Sequence, residues 1–157
     1  DITLWMDIDT EFIKNIYEIF DMAQDGKIGL VKDQFYVRQG KPQYNTGLIL
    51  MKGKSNIIPF WFSQNKYGNQ RGDQEELLEL LKNRPELNDY VFELPSKYNY
   101  VRLEYMHYAS KEPDLRVVHW TGPTGKHIIR SKKMGCDLNT IGTEYLSHDY
   151  RPDNKGN

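Results

Sequence analysis

The sequence predicts an α/β fold. Short apolar runs with strand character alternate along the chain with stretches whose apolar residues recur at helical spacing. The runs are closed by glycine or polar residues. At 157 residues, the chain has the length of one domain, with enough material for a sizeable core.

The first element is ITLWM, residues 2–6, which reads as a five-residue buried strand. In EFIKNIYEIF, residues 11–20, Phe12, Ile13, Ile16, Tyr17, Ile19 and Phe20 are spaced as one face of a helix, with Asp9 or Thr10 as its cap. KIGLVKD and YNTGLILMKG follow as two strands. NIIPFWF is apolar but broken by Pro59. DQEELLELLKN is the clearest helix: Leu77, Leu78, Leu80 and Leu81 form a face, and Pro85 stops it. YVFELP and LRVVHW are two further strands, the second ending at His119. From about residue 135 the composition turns polar, which divides the chain into a folded part, 1–134, and a tail, 135–157.

Composition narrows the function. A net charge of −1 argues against a nucleic-acid binder or a polybasic membrane surface. The cluster Arg130, Lys132 and Lys133 is short and reads as a solvated loop. No apolar run approaches the roughly 18 residues that span a bilayer. The single cysteine, Cys136, excludes an intrachain disulfide and suits a reducing, cytoplasmic compartment. The first residue is Asp, so the chain is expected to be processed or part of something longer.

The chemistry begins at LWMDIDTEF. Residues two apart on a strand share a side, so Asp7 and Asp9 can converge just past its carboxyl end, where ligands of open α/β sheets bind. Two carboxylates there suit Mg²⁺ or Mn²⁺, with a phosphate completing the shell. The alternative is a helix cap at Asp9 and a solvated acid at Asp7. DMAQDGKIGLVK imitates an EF-hand loop, but Ala23 and Lys32 occupy ligand positions, so a turn entering a strand is the reading. The RGD at 71–73 runs into the leucine-rich helix, where Asp73 and Glu76 form a capping-box pattern. VVHWTGPTGK closes an apolar strand with His119 and continues into a flexible glycine-containing loop whose N–H groups can approach a phosphate, with Lys126 as a point charge. An imidazole ligand favours Mn²⁺ over a purely oxygen-bound ion.

In this order the segments resemble the GT-A glycosyltransferases, most closely the glycogenin-like and bacterial galactosyltransferase-like family eight. The resemblance runs over about residues 2–126 through WMDIDT, YNTGLIL, RGDQEELLELL, LPSKYNY and VVHWTGPTGK. It implies an incomplete GT-A fold, a mixed sheet with flanking helices that lacks the amino-terminal nucleotide-binding βα units. It further implies that Asp7, Asp9 and His119 hold Mn²⁺ or Mg²⁺ against the diphosphate of a nucleotide-sugar, most readily a UDP-sugar. Asn45, Thr46 and Gly47 would line the donor-sugar pocket, and Asp73 and Gln74 would face the anomeric carbon. Gly122 and Lys126 would bind the departing diphosphate. The family's lysine stands one residue nearer the histidine and is followed by Pro-Trp, so Gly125 reads as an added residue and His127–Ile128 departs from the pattern. The implied activity is metal-dependent, retaining sugar transfer to a saccharide or protein acceptor, with a companion chain or upstream segment supplying the nucleotide-binding half. The alternative is a truncated GT-A-derived structural or binding protein without transfer.

Overall fold

The structure, a computed structural model, describes residues 1–67, 72–108 and 112–133. The tail 135–157, Cys136 and Arg71 lie outside the described residues. Two sheets carry the fold. The larger contains β1 (Ile2–Met6), β4 (Tyr44–Lys52), β3 (Ile28–Lys32) and β5 (Val91–Leu94) in that spatial order. β4 is antiparallel to both β1 and β3, and β5 is parallel to β3. The smaller has β7 (Val117–His119) between β2 (Thr10–Phe12), antiparallel to it, and β6 (Tyr100–Val101), parallel to it.

β4 is apolar on both faces because both are covered. Ile49 turns to one cluster with Ile28, Leu30, Ile57, Trp61, Leu77, Leu80 and Leu81, where α2 (Ile58–Tyr67) and α3 (Asp73–Asn83) pack. Leu48 and Leu50 turn to the opposite cluster, with Val31, Leu94, Ile16, Ile19, Tyr98 and Val117. A third cluster joins Val118, Tyr100 and Trp120 to Ile128 and Ile129 of α5 (Gly122–Lys133). Two shorter helices, α1 (Gln34–Arg38) after β3 and α4 (Arg102–Tyr108) after β6, complete the flanking layer. Among the described residues no helix is long and apolar enough to cross a membrane.

Five sequence expectations are corrected. The strand expected over 2–6 forms but is not buried, since Ile2 and Trp5 are 42% and 58% exposed. The helix expected over 11–20 does not form: Thr10, Glu11 and Phe12 pair with His119, Val118 and Val117, and a 3-10 helix spans Tyr17–Met22. The strand partner lies more than a hundred residues away, and that long-range pairing overrides the local periodicity. Phe12 and Tyr17, assigned to a buried face, are 58% and 76% exposed. Pro59 does not break its segment but lies in the first turn of α2, where its missing N–H costs nothing. The capping box at Asp73 is absent: Gly72 is the N-cap, without a side-chain cap, and its carbonyl accepts from Glu76 N–H at 3.0 Å. Lastly, the segment read as a flexible loop, 122–126, is the first turn of α5. That helix also carries Arg130, Lys132 and Lys133, and Lys132 Nζ donates to both Glu11 carboxylate oxygens at 3.0 and 2.7 Å. Gly125 therefore has a packing reason, since a Cβ there would stand 2.1 Å from the Trp120 carbonyl oxygen.

Candidate active site

The turn after β1 bridges the two sheets. Asp7 N–H donates to Gly47 O of β4 at 2.9 Å, and Asp9 O accepts from Trp120 N–H, just beyond β7, at 2.8 Å. Thr10 Oγ1 closes the turn on Asp7 O at 2.8 Å. Ile8 is thereby thrown outward, 94% exposed, while Asp9 is buried and Asp7 half-buried. His119 arrives at the same place from the end of β7, held in register by Thr10 on one side and Val101 on the other.

Asp7, Asp9 and His119 each offer one ligand atom, and those atoms lie within 4.8 Å of one another. His119 Nε2 is 3.4 Å from Asp7 Oδ2 and 3.2 Å from Asp9 Oδ1. The other ring nitrogen, Nδ1, faces two amide oxygens, Asn45 Oδ1 at 3.2 Å and Asn99 Oδ1 at 3.1 Å. An Nε2 facing two carboxylates takes a proton or a metal cation, and one imidazole with two carboxylates is a donor set that fits a divalent cation. The His119 ring holds the Asp7 carboxyl below the usual carboxylate range, burial opposes it, and Trp5 and Lys126 reinforce it.

Around these three residues lies a cavity of about 500 Å³. Asn45, Thr46 and Gly47 line it from β4, Asp73 and Gln74 from the start of α3, and Gly122 and Lys126 from the start of α5. All ten residues singled out in the sequence thus border one space. Gln74 Oε1 accepts from Thr46 N–H at 3.3 Å, which ties α3 to β4. Trp61 Nε1 donates to Asp73 O at 2.8 Å, tying α2 to the same helix start. The Asn45 side-chain oxygen is engaged three times over, by Gly47 N–H, Asn99 Nδ2 and His119 Nδ1.

Sequence reasoning missed two residues here. Asp33 borders the cavity, is 6% exposed and accepts from Phe35 N–H at the start of α1. Burial pushes its carboxyl up to about 6. Its signal was available, because Asp33 follows an apolar strand just as Asp7 does. Asn99 carried no local signal: it acts on a histidine 20 residues further on.

The sheets, the flanking helices and the acid-bearing turn between them make a mixed α/β fold, similar to part of the fold of a solved galactosyltransferase. The galactosyltransferase LgtC, solved with donor and acceptor sugar analogues, superposes with a TM-score of 0.55 at 21% identity, covering 93% of this chain and 64% of that one. An active-site mutant of LgtC gives 0.48 at 18% identity over 93% and 65%, and apo mouse xyloside xylosyltransferase 1 gives 0.46 at 18% over 75% and 57%. The chain therefore spans less than two thirds of the length of these structures. No protein-family model matches the sequence, and no curated protein matches it with significance.

Proposed function

We propose that this chain carries the catalytic part of a metal-dependent glycosyltransferase that moves a sugar from a nucleotide-diphosphate donor, a UDP-sugar, to a saccharide or protein acceptor with retention of anomeric configuration. The observation that carries this reading is the convergence of Asp7, Asp9 and His119 Nε2 on the wall of a cavity of about 500 Å³, within the usual range of ligand sites. Those three residues would hold Mn²⁺ or Mg²⁺, which when bound supplies Lewis-acid neutralisation of the diphosphate charge.

The remaining roles belong to side chains of this protein. Cleavage of the sugar–phosphate bond builds positive charge at the anomeric carbon and negative charge on the leaving oxygen. Lys126 and the N–H groups at the start of the 12-residue α5 are placed for the diphosphate, since a helix N-terminus attracts anions. Asp73 and Gln74 face the sugar and stabilise the cationic carbon, as carboxylates do for oxocarbenium-like states. Asn45, Thr46 and Gly47 form the floor of the sugar pocket. A companion chain or upstream segment grips the base and ribose. In support, among the described residues β1 pairs with β4 alone, and an apolar cleft of about 520 Å³ beside it leaves Trp5 58% and Phe62 68% exposed.

Thermal unfolding with Mn²⁺ and UDP, followed by a transfer assay over a panel of UDP-sugars, tests the proposal. Ligand at 100 times its dissociation constant stabilises by about 2.7 kcal/mol, so the melting temperature should rise, and Asp9→Asn should abolish the rise. No shift in the wild-type protein, or the same shift in Asp9→Asn, contradicts it.

A further inference from the structure

We infer that Asn99 is a positioning residue: with Asn45 it holds a proton on His119 Nδ1 and so fixes the ring with Nε2 turned toward Asp7 and Asp9, where a metal can replace a proton. The consequence for metal binding rests on the metal-site reading above, but the proton on Nδ1 follows from hydrogen-bond logic alone. Gly47 N–H can only donate, and its acceptor is Asn45 Oδ1 at 2.9 Å. With that oxygen identified, the Asn99 group 2.8 Å from it must be the NH₂, because an oxygen there would oppose acceptor to acceptor. Asn99 Oδ1 is then the atom 3.1 Å from His119 Nδ1, with Asn45 Oδ1 at 3.2 Å on the same nitrogen. Two acceptors on one ring nitrogen require it to carry the proton.

Burial makes the arrangement stringent. Asn45, Asn99 and His119 are 6%, 2% and 4% exposed, so water is poorly placed to replace a lost partner. Which ring nitrogen is free to bind a metal is set by the hydrogen bond of the other. Asn99 immediately precedes β6, whose Val101 pairs with His119, so the backbone keeps donor and acceptor in register. Aspartate at 99 would oppose an oxygen to Asn45 Oδ1. Leucine would leave Nδ1 with one acceptor and Asn45 without its amide partner.

¹⁵N NMR of His119 in the metal-free protein reads the proton on Nδ1 and its exchange with solvent, and calorimetry reads Mn²⁺ affinity. The wild-type Nδ1 should carry a slowly exchanging proton, with Nε2 free to take a second one between the Asp7 and Asp9 carboxylates. Asn99→Leu should speed exchange at Nδ1 and weaken Mn²⁺ binding by about 10–100-fold. Asn99→Ser, smaller and still an acceptor, should fall between the two and serves if the leucine variant does not fold. A wild-type Nδ1 without a proton, or variants that leave its exchange and the Mn²⁺ affinity unchanged, overturns the inference. Nδ1 exchange that quickens as described in a protein that never binds Mn²⁺ upholds the role of Asn99 and removes the metal reading instead.

Discussion

The His119 ring lies directly on Gly47: a Cβ at position 47 would stand 2.1 Å from the ring Cε1 and 2.2 Å from Nδ1. No side chain fits that space, so Gly47→Ala must push the imidazole away from Asp7 and Asp9. Overpacking of this kind costs about 1–3 kcal/mol. Chemical denaturation should show that loss, and calorimetry should show Mn²⁺ binding weakened far more than in a core variant of equal stability. Unaltered Mn²⁺ affinity would mean that the ring is not held by this contact.

Asp33 predicts a pH dependence. Its carboxyl ordinarily titrates near 3.8 and is pushed up to about 6, first by burial and then by Glu104, against the pull of the Phe35 and Tyr36 backbone N–H groups. The folded state therefore binds this proton more tightly than the unfolded chain. The contribution to stability is fully present below about 3.8, falls as pH rises and is gone above about 6. Asp33→Asn keeps an acceptor for Phe35 N–H and removes the charge. It should flatten stability across that window and, near neutral pH, stabilise the protein by about 1–3 kcal/mol. Urea titrations at several pH values measure this directly. An unchanged pH profile would show that Asp33 is better solvated than its surroundings imply.

Trp61 links packing to the cavity wall formed by the start of α3. Its ring belongs to the α2–α3 core, and its N–H holds the Asp73 carbonyl. Trp61→Phe keeps a ring there and deletes that bond, at a cost of about 1 kcal/mol. The expected signature is a lower kcat with unchanged Mn²⁺ affinity, because Asp73 and Gln74 move while the metal-binding residues do not. Steady-state kinetics beside calorimetry distinguish this from a general loss of fold.

Lys126 is exposed, so Lys126→Ala should leave stability within about 0.5 kcal/mol. UDP binding should weaken, and the difference between wild type and variant should shrink as salt is added. Equal UDP affinity at low salt would remove Lys126 from the diphosphate site.

What could be read in the sequence was whatever local spacing determines. Asp7 and Asp9 were paired on strand alternation, and the turn after β1 keeps them together with Ile8 outward, while His119 closes an apolar run. The leucine face of α3 was visible because Leu77, Leu80 and Leu81, at helical spacing, bury against one sheet, while Leu78 at its margin is only partly buried. Residues 10–12 were misread because their structure is set by β7, and no window of neighbouring residues contains that partner. The start of α5 looked like a loop because glycine and proline dominate it. Its helix is secured instead by Ile128 and Ile129 packing on Trp120. Asn99 was invisible for a related reason: its significance lies in the orientation of a ring on another strand.

The central claim is that His119 binds a metal through Nε2 together with Asp7 and Asp9. Electron spin echo envelope modulation of Mn²⁺ bound to the protein tests it most directly, because the method detects nitrogen bonded to the ion. The account predicts coupling to one imidazole nitrogen in the wild-type protein and its disappearance in His119→Gln. Bound Mn²⁺ without nitrogen coupling, or coupling that survives His119→Gln, would contradict it.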